Sequence, residues 1–358
     1  MKTFADESFA IRIFFFMLLP AACLFACVLL TVSAQPYSSS QVIEGVEWYP
    51  DTHLSAAADS DLFPTTWGAD GKIYTAWGDG RGFTSSRRRS YGISTIEGTP
   101  PNLTFNDIYQ GPNGAGNGKI IDLISVQGVL YATYNSQDNK WPDVTYKIFK
   151  SPDNGKTWIQ LPWNWPSGKG TFEPRRFLHK GQDFQNDLDH YFYIYGRKAY
   201  EPENFYLVRV PVKEIENERA YRFLSGFKNG REPVWSSSQA RMKPIFTDTN
   251  ASEFILNSFC VQYLESIDRY VAVTSHGGAG QIGIFDAAAP WGPWTTVAYY
   301  EEWLGMSGGI FLSMSFPEKW IRKDDLAFWA VFSVHGPPTP DIYHDRFNLV
   351  KGRFKLRG

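Results

Sequence analysis

Cysteine is nearly absent. The 358-residue chain has three, and two of them, Cys23 and Cys27, fall in its first 34 residues. Beyond that point only Cys260 remains, so no internal disulfide can staple the chain and its stability must come from a packed core. Cys260 sits in an apolar run and reads as a buried, inert thiol. An excess of charge of either sign is also missing. The formal net charge is −2, and the one basic cluster, Arg87-Arg88-Arg89, is short, which argues against a nucleic-acid partner. The six histidines include no HxxxH or HxH pair, so no metal site is legible and no cofactor is expected. A calcium ion held by channel oxygens would leave no such motif. Long helical periodicity is lacking too; the best stretch, residues 212–223, is short and highly charged.

Apolar residues do form one long run, from Ile13 to Val32, preceded by Lys2 and Arg12 and followed by Thr-Val-Ser-Ala before Gln35. This is the pattern of a signal peptide over residues 1–34, cleaved after Ala34. The run is long enough for an uncleaved membrane anchor, the alternative, but Pro20 and the small-residue end favour cleavage. The expectation is a secreted protein with no membrane association once the leader is removed. No Ser/Gly/Pro-rich linker divides residues 35–358, which read as a single domain and a monomer. The sequons at Asn102 and Asn250 would carry glycans only in a eukaryotic secretory pathway.

Strand signals fill this domain. Short aromatic and β-branched runs alternate with Gly, Pro, Asn and Asp, and aromatic residues make up 16% of the chain, with 13 Trp, 19 Tyr and 27 Phe. Five units can be delimited: the stretch from residue 61 to 96, then units around residues 120–158, 190–210, 259–297 and 309–350. At about 65 residues each they are somewhat longer than common propeller repeats. Radial repetition would protect sheet edges without disulfides. The expected fold is all-β, a five-bladed β-propeller, with a two-sheet sandwich as the alternative.

The organising stretch is DLFPTTWGADGKIYTAWGD, residues 61–79, which reads as a hairpin with a carboxylate at each end. If Asp70 is the middle of a three-residue turn, Asp61 faces Asp79, with Cβ atoms ~5 Å apart. That is near the carboxyl separation of a retaining glycosidase. A two-residue turn would put the acids on opposite faces. Pro64 cannot donate to a ladder and places its strand at an edge, which in a propeller is the strand lining the central channel. Trp67 would share the face of Asp61 in a regular strand and could stack on a sugar, although a core tryptophan gives the same letter. The glycines at 78, 80 and 82 suggest close backbone approach or a plain loop. His276, in a Gly-rich turn after a strand, is a second substrate-binding candidate or a surface histidine. Arg175 and Arg176 read as solvated charges.

Two sets of motifs point to a family. Ser151-Pro-Asp-Asn-Gly-Lys-Thr-Trp158 resembles the Asp-box of sialidase-like and other glycosidase propellers, a turn in which Asp153 has a structural role. Residues 60–83, 282–297 (IGIFDAAAPWGPWTTV) and 316–325 (FPEKWIRKDD) resemble the signature of DUF4185, a domain of unknown function whose members include the endo-D-arabinanases of glycoside hydrolase family 183. The resemblance implies a five-bladed propeller and a retaining attack on α-D-arabinofuranosyl linkages by two aspartates, matching Asp61 and Asp79. In such a mechanism one carboxylate attacks and the other alternates between acid and base; Asp79 is expected as nucleophile and Asp61 as acid/base, with the reverse open. The expected partner is an oligosaccharide or polysaccharide. A non-catalytic carbohydrate-binding or scaffold propeller is the alternative.

Overall fold

Both faces of nearly every strand carry apolar or aromatic side chains, and the computed structural model shows what covers them. It describes residues 34–358 except 112–117, 137–144, 166–167, 169, 199–200, 252–258 and 337–339. The leader expected over residues 1–34 lies outside the described residues but for Ala34. Among them there is no α-helix, only strands and short 3-10 turns. The charged stretch 212–223 forms two such turns, Val212–Glu214 and Glu218–Ala220, rather than a helix. No described helix is long and apolar enough to cross a membrane.

The strands run β1 (Ile43–Ala56), β2 (Asp61–Trp67), β3 (Ile73–Gly80), β4 (Arg89–Thr99) and β5 (Asn102–Gln110), then β6 (Lys119–Val126), β7 (Val129–Ser136), β8 (Thr145–Ser151) and β9 (Ile159–Trp165). Next come β10 (Phe172–His179), β11 (Tyr191–Lys198), β12 (Asn204–Pro211), β13 (Arg222–Lys228), β14 (Glu232–Ser236) and the short β15 (Phe246–Thr247). The last are β16 (Cys260–Leu264), β17 (Arg269–Ser275), β18 (Ile282–Ala287), β19 (Thr295–Tyr299), β20 (Ile310–Ser315), β21 (Ala327–His335) and β22 (Phe347–Leu356). They pair as antiparallel meanders: β2 to β5, β6 to β9, β10 to β14, β16 to β19, and β20 to β22 with β1 added at the outer edge. The third and fourth meanders are joined by a short parallel pairing of Leu178 and His179 with Val261 and Gln262. The fifth unit, sparse when read along the sequence, is completed by β1 from the other end of the domain, paired from Ile43↔Leu356 to Ala56↔Phe347.

Each meander packs on the next through its own apolar cluster. Tyr74, Ala76 and Ile93 meet Ile120, Leu123 and Leu130 between the first and second, and further clusters join the second to the third, the third to the fourth and the fourth to the fifth. A fifth cluster, in which Phe63, Trp77 and Ile96 pack on Val331, Phe347 and Leu349, returns from the fifth meander to the first. Covering both faces of a sheet in this way consumes the aromatic load. It also gives the chain its disulfide-free core.

The first strands of all five meanders line one central cavity of about 20 Å³, bordered by Pro64, Asp122, Arg176, Cys260 and Ser313 among others. Pro64 thus stands on a channel-lining edge strand, as its missing N–H requires. The arrangement is all-β and propeller-like. Arg175 and Arg176 correct the expectation of solvated charges: both are buried, because β10 is an inner strand. Arg176 donates to the carbonyls of Ile121 at 2.6 Å and Leu312 at 3.2 Å, tying β10 to β6 and β20. Arg175 and Arg197 pair with buried Glu173 at 2.7 and 3.1 Å.

Candidate active site

Near its turn the opening hairpin has the expected register, with Trp67↔Ile73, Thr66↔Tyr74 and Thr65↔Thr75 paired. A bulge follows: Phe63 and Pro64 stand opposite Ala76 alone, and the pairing resumes at Leu62↔Trp77 and Asp61↔Gly78. Leu62 and Phe63 take left-handed backbone angles, φ 77° and 49°, a conformation that persists in bulky residues only when their surroundings enforce it. Here the Leu62 amide donates to Ser333 Oγ at 3.0 Å, Ser313 Oγ donates to the Leu62 carbonyl, and Phe63 is buried against Phe83 and Phe347. The bulge is therefore held by the fifth meander.

Two expectations change as a result. Asp61 faces Gly78 and not Asp79, which is the next residue along. Trp67 does not share the face of Asp61, since one extra residue inverts the alternation; it lies at the turn end of β2 and lines a different cavity, of about 210 Å³, with Glu318 and Lys319.

The two carboxylates nevertheless remain neighbours. Asp61 leans over Gly78 so closely that a Cβ there would lie 2.5 Å from its Oδ1. At Gly80 a Cβ would strike the Asp59 carbonyl and Ser60 Oγ. The glycines flanking Asp79 thus permit close approach, one of the two readings their spacing allowed. Asp79 has φ 47° and is partly exposed. Its Oδ1 pairs with the Lys119 ammonium at 2.9 Å, and Lys119 is itself buried at the start of β6. Arg88, from the basic run, donates to the Asp79 carbonyl at 2.5 Å.

Asp61 has the opposite environment. Its Oδ1 is buried and has no hydrogen-bond partner among the described residues. Burial first, and then the charges of Asp79 and Asp345, push its carboxyl up to about 7 against the opposing pull of Lys119 and His335. One acid is thus held against a cation, while its neighbour favours the protonated form near neutrality.

The fifth meander adds residues that sequence spacing did not suggest. Asp345, at φ 42°, has its backbone fixed at both ends: its N–H donates to the Val334 carbonyl at 2.9 Å and its carbonyl accepts from Ser60 at 3.2 Å. Its carboxylate lies 2.8 Å from His335 Nδ1 and 3.0 Å from His344 Nε2. The bond to Asp345 raises the His335 imidazole above its ordinary value, with Asp61 and Asp79 adding to the effect. His335 and His344 are nine positions apart in the sequence, so no short motif could reveal them. Lys119 was hidden in the same way, as the first residue of a strand in another meander.

His276 is placed elsewhere. Its ring stacks on Tyr299 at 4.0 Å, its Nε2 lies 3.1 Å from the Tyr300 carbonyl, and burial lowers its pKa. Among the described residues the charges it senses are Asp248 and Glu301, not the aspartate pair. Asp153 is spent on its turn, accepting from Thr157 N, Thr157 Oγ1 and Ser151 Oγ at 2.9, 2.7 and 2.8 Å. Those bonds bring its carboxyl down to about 2.

The family model for DUF4185, a domain of unknown function, matches residues 121–331. The chain belongs to this family. No curated protein matches the sequence. Among solved structures, the chain is similar to a GH43_1 enzyme from Xanthomonas citri crystallised with xylotriose. The two are 13% identical, 85% of this chain covers 90% of the other, and the TM-score is 0.50. It is likewise similar to the RS223 β-xylosidase, at 11% identity, 85% and 98% coverage and a TM-score of 0.50. At such identities these likenesses establish a shared fold. The Asp61 and Asp79 pair lies N-terminal to the segment that the DUF4185 model matches, on the meander that packs against its first strands.

Proposed function

We propose that this DUF4185 protein is a secreted glycoside hydrolase of the retaining type, a five-bladed propeller whose Asp79 attacks the anomeric carbon and whose Asp61 serves as acid and then base. The observation that carries the reading is the unequal environment of two adjacent carboxylates. Asp79 faces a buried ammonium, as a nucleophile that must stay charged requires. Asp61 is partly desolvated and protonated up to about 7, which suits a group that first gives a proton to the leaving oxygen and then takes one from water. The glycosidases that share the fold, one of them crystallised with a xylose trimer, support a carbohydrate substrate. The family resemblance of the opening hairpin supports furanosidic linkages, D-arabinan first, cleaved internally.

The test is hydrolysis of a panel of arabinans and other furanosides, read as released reducing ends, with a pull-down on the same polymers. Wild-type protein is expected to release ends, and Asp61→Asn and Asp79→Asn each to lose at least about 10³-fold in kcat while still binding. Binding without release by the wild type would instead make the protein a non-catalytic carbohydrate-binding propeller.

A further inference from the structure

We infer that His335, His344 and Asp345 form a binding site for a single transition-metal dication of the zinc type, at the rim of the aspartate pair. The ligating atoms of the three side chains lie within 4.8 Å of one another. Both imidazoles already converge on one carboxylate, at 2.8 Å to Oδ1 and 3.0 Å to Oδ2, so modest rotations would bring two nitrogens and an oxygen onto one ion. Two imidazoles with one carboxylate are the donor set of catalytic and other open zinc sites, whereas calcium and magnesium prefer oxygen throughout.

Three further features distinguish the cluster from a chance meeting of surface histidines. The backbone of Asp345 is pinned on both sides, to Val334 and to Ser60, so the central ligand is preorganised. The remaining nitrogen of His344, Nδ1, faces Asp341 Oδ1 at 3.5 Å; an outer carboxylate of this kind orients a metal-bound imidazole and selects which nitrogen faces the ion. The side chains of His335, His344 and Asp345 are 51%, 31% and 29% exposed, which leaves room for water or a sugar hydroxyl to complete the coordination. The competing account is a hydrogen-bonded His–Asp–His bridge in which both imidazoles simply donate to Asp345.

The experiment is calorimetric titration of ZnCl₂ into chelator-stripped full-length protein at neutral pH, together with the visible absorption of the Co²⁺ complex. The site predicts one equivalent bound with Kd at or below about 10 µM, and a Co²⁺ spectrum with nitrogen ligation. His344→Ala and Asp345→Asn should each weaken binding at least about tenfold, with circular dichroism and Tm in the absence of metal reporting that the fold persists. Absence of binding by the wild type at about 100 µM Zn²⁺ would overturn the site in favour of the hydrogen-bonded bridge. So would one-equivalent binding that both variants retain. If either variant fails to fold, zinc anomalous scattering from wild-type crystals decides: a peak among these three side chains supports the site, and a peak elsewhere or none overturns it. None of these readouts depends on glycosidase activity.

Discussion

Asp61 is the residue whose behaviour most separates this site from a pair of solvated strand ends. Its folded-state carboxyl is raised to about 7 from an unfolded value near 4. Between those values the folded chain holds a proton that the unfolded chain has lost. Folding stability attributable to this group is therefore highest below about pH 4 and falls as pH rises through 7. In chelator-stripped protein Asp61→Asn, which has no charge to bury, should match the wild type in Tm at pH 4 and exceed it by roughly a few degrees at pH 8. Thermal denaturation across that range checks the sign, and a Tm difference that stays flat with pH would show that the carboxyl is not perturbed. The same titration should appear in catalysis as a loss of kcat/KM above about 7.

Lys119 sets the environment of the other acid. Its ammonium is the close positive partner of Asp79, and Lys119→Met should lower kcat at least about tenfold with a smaller change in KM. Lys119→Arg should restore part of the loss, which a purely structural role would not predict. Steady-state kinetics of the two variants provide the check.

At the scale of the element, the opening hairpin shows what the sequence could and could not reveal. Its strand letters, its turn and the register at residues 65–75 were legible because aromatic and β-branched runs, Ala-Asp-Gly and Pro64 each have a local physical meaning. The bulge at Phe63 and Pro64 was not. It is imposed by Ser313 and Ser333 from distant strands, and no local propensity encodes a contact some 250 positions away. That one displaced residue moved Asp61 from Asp79 to Gly78 and removed Trp67 from the site, while the pairing of the two acids survived because Gly78 has no side chain. Gly78→Ala tests this reading. Its Cβ would meet Asp61 Oδ1 at 2.5 Å and Lys119 Cδ at 3.0 Å, so activity should fall at least about tenfold. The strand should persist in the circular dichroism spectrum, because Ala is compatible with an extended backbone.

Across the whole molecule, the all-β class and the recurrence of antiparallel meanders were readable from the strand letters and their spacing. The completion of the last meander was not, since β1 joins it by pairing with β22 from the other end of the domain. Nor could adjacent arginines announce that they are central. Arg175-Arg176 is written like a surface pair, and only the position of β10 beside the central cavity explains why both are buried. Arg176 holds three meanders together through the Ile121 and Leu312 carbonyls and stands 3.7 Å from buried Asp122. Arg176→Met should leave both carbonyls without their charged donor and Asp122 without its arginine partner, and cost about 3–5 kcal/mol. Chemical denaturation would read this as a lower midpoint with an unchanged m-value.

The claim on which the account rests is that Asp79 forms the bond to the sugar while Asp61 manages the proton. It is tested most directly by trapping the enzyme with a 2-deoxy-2-fluoro arabinofuranosyl donor and mapping the adduct by peptide mass spectrometry. The account predicts one adduct per chain, on Asp79, formed by the wild type and not by Asp79→Asn. An adduct on any other residue, or turnover of natural substrate with inversion at the anomeric carbon, would contradict it.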